Sequence, residues 1–412
     1  APAKSTSTVM AECHQCYTWG DESAHPVRAM TKSAQILRQC LAVTCLLLAA
    51  CVSTPPVDRD MHYDTGSLLS GDVFAVVPAD RPAPVELTRV NADMRAFLRE
   101  HVPSHLGQEK KVERILRAIL DDGLQLDYDN FKTYTAEEVF YVRQGNCLSF
   151  TNLFVALARE AGLKVSYQEV EVPANWERRS DTYYYNRHIN ALVHLPFRGK
   201  QAVDFNMDEF EASYPRRSIS DNYALAQYFN NMGVHWLEEG DYARAFVYVR
   251  EAIRLQPWAA YFWTNMGSLY SRAGYTDRAE SAWLQALEID DDPTAMSNLA
   301  RYYASAGEQA LADWYTQQVE TYRRQNPYYL FELARTAYQN EGYEESLAWL
   351  EQSLQLRDTE HRFYRLQGLA HLQLGNKEAA RRSFELAARH ASSESERGMY
   401  NRKQRLIAQA SE

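Results

Sequence analysis

Between residues 86 and 215 the spacing of apolar residues changes period once, and the change divides the segment. LTRVNADMRAFLREHV and KKVERILRAILDDG place apolar residues three and four apart, which predicts two amphipathic helices. YTAEEVFYV (134–142) reads as a shorter helix. GNCLSFTNLFVALARE (145–160) reads as an apolar one, with Phe150, Leu153, Phe154, Leu157 and the following Ala161 as its buried face. Beyond Gly162 the period falls to two. KVSYQEVEV (164–172), HINALVHLPF (188–197) and QAVDFNM (201–207) predict three strands, the last two joined by an RGK turn. PANWERRSDTYYYNR, between the first and second strands, reads as a polar and aromatic loop. Helices first and antiparallel strands after predict an α+β domain over 86–215.

Further along, the pattern repeats. Gly240, Gly274, Gly307, Gly342 and Gly375 are separated by 34, 33, 35 and 33 residues. Gly233, Ala245 and Ala252 recur as Gly267, Ala279 and Ala286, and again as Gly368, Ala380 and Ala387. Small residues in these slots let paired helices approach closely, and the mid-repeat glycine suits the turn between them. The pattern resembles the tetratricopeptide repeat over residues 222–390, in about five units. The third and fourth units are looser, with Trp314, Tyr315 and an extra stretch before Pro327. The resemblance implies an all-α solenoid whose concave surface takes a protein partner. Residues 391–412 are expected to form a capping helix and tail.

Upstream, CLAVTCLLLAAC (40–51) is apolar but too short to span a bilayer as a helix. MTKSAQILRQ precedes it, with Lys32 and Arg38 and no acid. Residues 30–50 therefore read as an export signal, and Leu48-Ala49-Ala50-Cys51 resembles the lipobox of bacterial lipoproteins. That resemblance implies cleavage before Cys51, palmitate-type acylation of its thiol and attachment to a membrane through the lipid. The expected location is the bacterial cell envelope, facing the periplasm. The outer membrane is preferred, because Val52 stands where an inner-membrane retention aspartate would. Residues 51–85, rich in proline and aspartate around LLSGDVFAVV, are expected to be a lipidated tether. Residues 1–29 read as a non-native upstream extension. Their Cys13 and Cys16 make half a zinc site without a second pair.

Composition narrows the function classes. The chain has 412 residues, enough for two or three domains, with 46% hydrophobic and 24% charged residues. A formal charge of -10 with interspersed signs offers no basic stripe, so nucleic acid is not an expected partner. No G-x-x-x-x-G-K-[ST] or H-E-x-x-H motif occurs. Asp290-Asp291-Asp292 reads as an inter-repeat turn, and no metal or cofactor is expected. After processing, Cys147 would be the only free thiol in an oxidising compartment, either buried and inert or retained for its chemistry.

Asn146 is suited to cap the helix opening at Cys147, where unsatisfied N–H groups and the helix dipole favour a thiolate. Gly145 is expected to allow a tight turn and leave room for substrate. A thiol nucleophile also needs a base, and the base an orienting group. His188 opens one strand and Asp204 lies on the next, within reach across a hairpin. His194 alternates to the same face as His188 and is the competing base.

Gly-Asn-Cys before an apolar helix, His-Ile-Asn-Ala-Leu-Val on a strand and Val-Asp-Phe-Asn on the next resemble the bacterial transglutaminase-like branch of the papain-like cysteine fold. Ala136-Glu137-Glu138-Val139 fits the same pattern, and the likeness covers about residues 88–210. It implies a catalytic triad of Cys147, His188 and Asp204. It also implies an oxyanion site made by the Cys147 N–H and a donor from Gln144 or Tyr141. Trp176, Tyr183, Tyr184 and Tyr185 are candidates for the substrate groove. LSFTNL after the cysteine departs from the acidic-aromatic run common in the family, which bears on substrate. The expected function is thiol-dependent acyl transfer on a peptide, isopeptide or glutamine-like amide, hydrolysis being favoured over cross-linking. The alternative is an inactive lipoprotein scaffold that binds proteins through its repeats.

Overall fold

The structure is a computed structural model that describes residues 62–121, 123–170, 176–179, 182–185, 188–196, 199–205, 216–391 and 394–409; for 176–179 and 182–185 it describes the backbone alone. The export signal, Cys51 and the cysteine pair at 13 and 16 lie outside the described residues. The first elements are α1 (Thr65–Leu68), α2 (Ala92–His101), α3 (Gln108–Leu120), β1 (Asp127–Tyr128), α4 (Ala136–Val142), β2 (Gln144–Gly145) and α5 (Cys147–Glu160). Capping residues set these starts. Asn91 accepts from the Met94 N–H at the head of α2, and Thr135 with Glu138 closes a capping box on α4.

Helix α5 is the centre of the domain, and it is buried on every side. Ser149, Thr151 and Asn152 are covered as fully as Phe154 and Leu157. The expectation of one apolar face fails here because α2, α3, α4 and the sheet all pack against this helix. Its inward polar groups therefore need internal partners. Asn152 donates to the Tyr134 carbonyl at 3.0 Å and accepts from the Tyr167 hydroxyl at 2.8 Å, while Thr151 donates to the Ile189 carbonyl at 3.3 Å.

The strands are β3 (Val165–Val170), β4 (Trp176–Arg179), β5 (Thr182–Tyr185), β6 (His188–Leu195), β7 (Gly199–Val203) and β8 (Arg216–Ile219). A four-stranded antiparallel sheet has the order β7-β6-β3-β8. Strand β8 lies beyond the expected limit at 215. It joins through a buried carboxylate: Glu169 of β3 takes Arg217 at 2.7 Å and Gln227 at 3.0 Å. The segment expected to be a loop contains a hairpin, β4 with β5, and β5 lies against a later helix, Pro293–Ala306.

Beyond the sheet run α6 (Asp221–Glu238), α7 (Tyr242–Leu255), α8 (Ala260–Arg272), α9 (Thr276–Ile289), α10 (Pro293–Ala306), α11 (Gln309–Arg324), α12 (Pro327–Gln339), α13 (Tyr343–Leu356), α14 (His361–Gln373), α15 (Lys377–His390) and α16 (Glu394–Gln409). They pack as successive pairs, α16 closing the last. The small-residue slots are needed. A Cβ at Gly233 would sit 2.5 Å from Val249, and one at Gly267 would sit 2.5 Å from the indole of buried Trp283. In the fourth pair the left-handed turn residue is Glu341 (φ 64°), not Gly342, which accounts for the spacing of 35 there. One apolar core runs from the domain through Val319, and separate cores serve the later pairs, so the break falls where the repeats are looser.

Residues 62–85 of the expected tether form a docked strap. Leu68 is fully buried and its carbonyl accepts from the Tyr270 hydroxyl at 2.6 Å. Phe74 packs among Phe246, Tyr270 and Tyr275, and Arg278 holds Asp72 at 2.9 Å. The apolar run LLSGDVFAVV, included in the expected tether, is what binds the strap to the repeats.

Gly267→Ala is expected to lower stability by about 1–3 kcal/mol, since Trp283 has no space to yield. Denaturant unfolding of the whole chain measures it.

Candidate active site

The turn into α5 is held by a small polar cluster. Asn146 caps the helix, accepting from the Ser149 N–H at 3.1 Å, and its own amide donates to Thr133 Oγ1 at 2.7 Å. Ser149 Oγ accepts from the Tyr134 N–H at 2.8 Å and donates to the Lys132 carbonyl at 3.2 Å. A Cβ on Gly145 would lie 2.6 Å from Ser149 Cβ. The side-chain direction at Gly145 is thus filled by Ser149, so the turn requires a glycine there. The half-exposed Cys147 follows directly, in the first turn, where helix N–H groups lack helical acceptors.

Sheet register supplies the other two groups. Ala191 pairs with Val203, so Asp204 falls opposite Asn190, and His188 shares a face with Asn190 two residues away. His188 Nε2 lies 2.7 Å from Asp204 Oδ2, and Asn190 Nδ2 donates to the same oxygen at 2.9 Å. The ring's remaining nitrogen, Nδ1, is not taken by Asp204, and Cys147 is near enough to favour the charged ring. Burial opposes a charge on this imidazole. The hydrogen bonds to Asp204 and Cys147 outweigh it, and the pKa is pushed up to about 10.

Asn190 had no assigned role in the sequence reading. The signal was present: it is one alternation beyond His188, facing Asp204, and it is fully buried. Its Oδ1 and the Oε1 of Gln168, its cross-strand neighbour, have no hydrogen-bond partner. His194 is a different matter. It lies about 20 Å further along the strand and contacts Ser166 Oγ at 3.1 Å.

The two oxyanion candidates differ. Tyr141 is exposed, its hydroxyl donates to Asp93 at 2.7 Å, and it accepts from Asn91 at 3.0 Å, so its one proton is committed elsewhere. Gln144 accepts from Lys132 Nζ at 2.8 Å and makes one long contact to Asp127 at 3.4 Å, which leaves an amide hydrogen. Trp176 lies in β4 and Tyr183, Tyr184 and Tyr185 in β5; their side chains are outside the described residues. A ring that sequence did not single out stands closer in register: exposed Tyr128 pairs with Gly145 and packs edge-on against Phe150. Among the described residues no three His, Cys, Asp or Glu side chains form a metal-holding group.

The first helix of the repeats grips both ends of α5. Asp221 takes Arg159 at 2.6 and 2.9 Å, and Asn231 donates to Thr133 Oγ1 at 3.2 Å, the atom that Asn146 also uses.

A capped helix carrying the thiol, against an antiparallel sheet carrying His188 and Asp204, has the arrangement of a transglutaminase-like domain. Residues 97–206 match the transglutaminase-like superfamily, and residues 260–293 match a tetratricopeptide repeat. The chain therefore carries a transglutaminase-like domain followed by a tetratricopeptide-repeat region. No curated protein matches it. Similar solved structures include MamA, at 16% identity over 40% of this chain and 91% of that one with a TM-score of 0.22. YrrB, described as a TPR protein with an unusual peptide-binding site, has 15% identity over 43% and 92%, with a TM-score of 0.23. PilF of Pseudomonas aeruginosa has 15% identity over 46% and 89%, with a TM-score of 0.24. At such scores the likenesses carry no argument about function.

Because folding raises His188 above its ordinary 6.5, the charged ring contributes stability that is fully present below about 6.5 and lost as pH rises through about 10. Asp204→Asn should bring the imidazole midpoint back toward 6.5, read by NMR titration, and shift that loss to lower pH. Asn146→Ala should cost about 1–2 kcal/mol in chemical denaturation, through the lost cap.

Proposed function

We propose that the protein is a thiol-dependent acyl-transfer enzyme acting on an amide of a peptide or protein. The observation that carries this reading is the position of His188, hydrogen-bonded to Asp204 at 2.7 Å and near enough to Cys147 for the thiol to favour the charged ring. The Cys147 thiolate attacks the carbonyl carbon of the amide, forming a C–S bond and an oxyanion. The backbone N–H of Cys147, in the first turn, and the spare amide hydrogen of Gln144 are the donors suited to it. The C–N bond then breaks as His188 gives its proton to the departing amine, leaving a thioester. Water attacks the thioester while His188 takes its proton, the C–S bond breaks, and the acid leaves with the thiolate restored. An amine in place of water gives transamidation by the same steps. Hydrolysis is the favoured outcome, since Cys147 is partly open to solvent.

In this reading Asp204 keeps the ring in one tautomer and stabilises its charge, and Asn190 holds Asp204 in place. Tyr128, with the aromatic residues of β4 and β5, would border the acyl groove. The repeat region is consistent with protein–protein interaction, and we assign it recruitment of the protein that bears the scissile amide. The lipobox-like segment ending at Cys51 supports attachment to the bacterial envelope, facing the periplasm.

Iodoacetamide should label Cys147 at neutral pH far faster than an ordinary thiol, and His188→Ala should slow that labelling at least about tenfold. Activity on a peptide-amide panel should vanish in Cys147→Ala, and its alkaline limb should fall near 10, following His188. An unreactive thiol together with full biological function of Cys147→Ala would leave the scaffold reading instead.

A further inference from the structure

A pocket of about 450 Å³ lies away from the cysteine site, between the strap and helices α7, α8 and α9. It shares no residue with the groups around Cys147. Its volume falls within the range of about 300–1,000 Å³ usual for small-molecule sites. The floor and wall are apolar: Leu69, Ile253, Trp263 and Ile289, with Trp258 at the edge. Trp258 is 82% exposed, a large apolar surface to leave in water.

The polar side of the pocket is cationic. Arg81, Arg250 and Arg254 all line it. Arg254 pairs with Glu251 through two bonds, at 2.6 and 2.9 Å, and Arg81 shares that carboxylate at 3.3 Å. Arg250 has no carboxylate bonded to it. Its Nη2 donates to the carbonyls of Val77 and Asp80, at 3.1 and 2.7 Å, and its buried Nη1 has no acceptor. Burial and the neighbouring Arg81 pull this guanidinium below its ordinary range, against the pull of Asp80 and Glu251. Arg250 thus lines an apolar hollow with no carboxylate hydrogen-bonded to it. An unpaired buried N–H of a cation is costly unless an acceptor reaches it.

We propose that this pocket binds a single-chain amphiphile with one carboxylate, its chain against Trp258, Trp263 and Ile253 and its head on Arg250 and Arg254. A planar carboxylate matches the guanidinium fork, and its charge supplies the bonded counter-ion that Arg250 lacks.

The test uses the full chain and dodecanoate, kept below its micellar range, with dodecan-1-ol and dodecyltrimethylammonium as neutral and cationic comparators. Calorimetry and tryptophan fluorescence should show saturable one-to-one binding of dodecanoate, with the alcohol roughly tenfold weaker or worse and the cation not bound. Arg254→Gln and Trp258→Ala should each weaken binding several-fold, and Arg250→Gln at least roughly tenfold. Because Arg250 also ties down the strap, the two rim variants decide the matter if Arg250→Gln unfolds. Equal binding of the three amphiphiles overturns the proposal, as does unchanged affinity in both rim variants or binding that never saturates. Cys147→Ala should bind dodecanoate as the wild type does, so this result stands apart from the catalytic reading.

Discussion

A helix wrapped on all sides has no solvent to satisfy its polar groups, and α5 is such a helix. Ser149, Thr151 and Asn152 point into protein, and each is bonded to the backbone or side chain of a neighbouring element. These bonds are directional where apolar packing is not, so they fix the rotation of α5 as well as its place. Rotation is what matters for Cys147. A first-turn side chain swings around the helix axis if the helix turns, so the setting of α5 decides which way the sulfur faces. The polar interior of α5 therefore does for the thiol what Asp204 and Asn190 do for the imidazole.

The same constraint explains why domain and repeats share a core. With α6 holding Arg159 at one end of α5 and Thr133 at the other, the repeat region is part of the support for the cysteine turn. Glu169 adds a third tie, from the sheet to Arg217 and Gln227. A carboxylate this deeply covered is tolerated only with such partners. The separate cores beyond Val319 leave the last pairs without this role.

Much of this was legible in sequence because it rests on short-range rules. Period-two alternation found β3, β6 and β7, and with them the relation of His188 to Asp204. The 34-residue recurrence found the helical pairs. What escaped depends on distant partners. β8 is four residues long and mostly exposed, and only Glu169 and the sheet edge give it meaning. The strap looked like a tether because proline and aspartate dominate its composition, while its few apolar residues find their partners some two hundred positions later. Gly145 and Ser149 were both visible, but their contact requires the coordinates of the turn. Asn190 lay inside the quoted strand motif and was passed over, because alternation says which face a residue shares and not what it meets there.

The strap has a mechanical consequence. Tyr63 donates its backbone N–H to Ser281 in α9, so the strap begins against the second helical pair. Tension applied to the strap meets the repeats first, where Arg278, Tyr270 and Arg250 anchor it, before the chain reaches Leu87, whose carbonyl accepts from the Ala136 N–H at 2.8 Å. The repeats bear the load first, ahead of the helices around the cysteine turn.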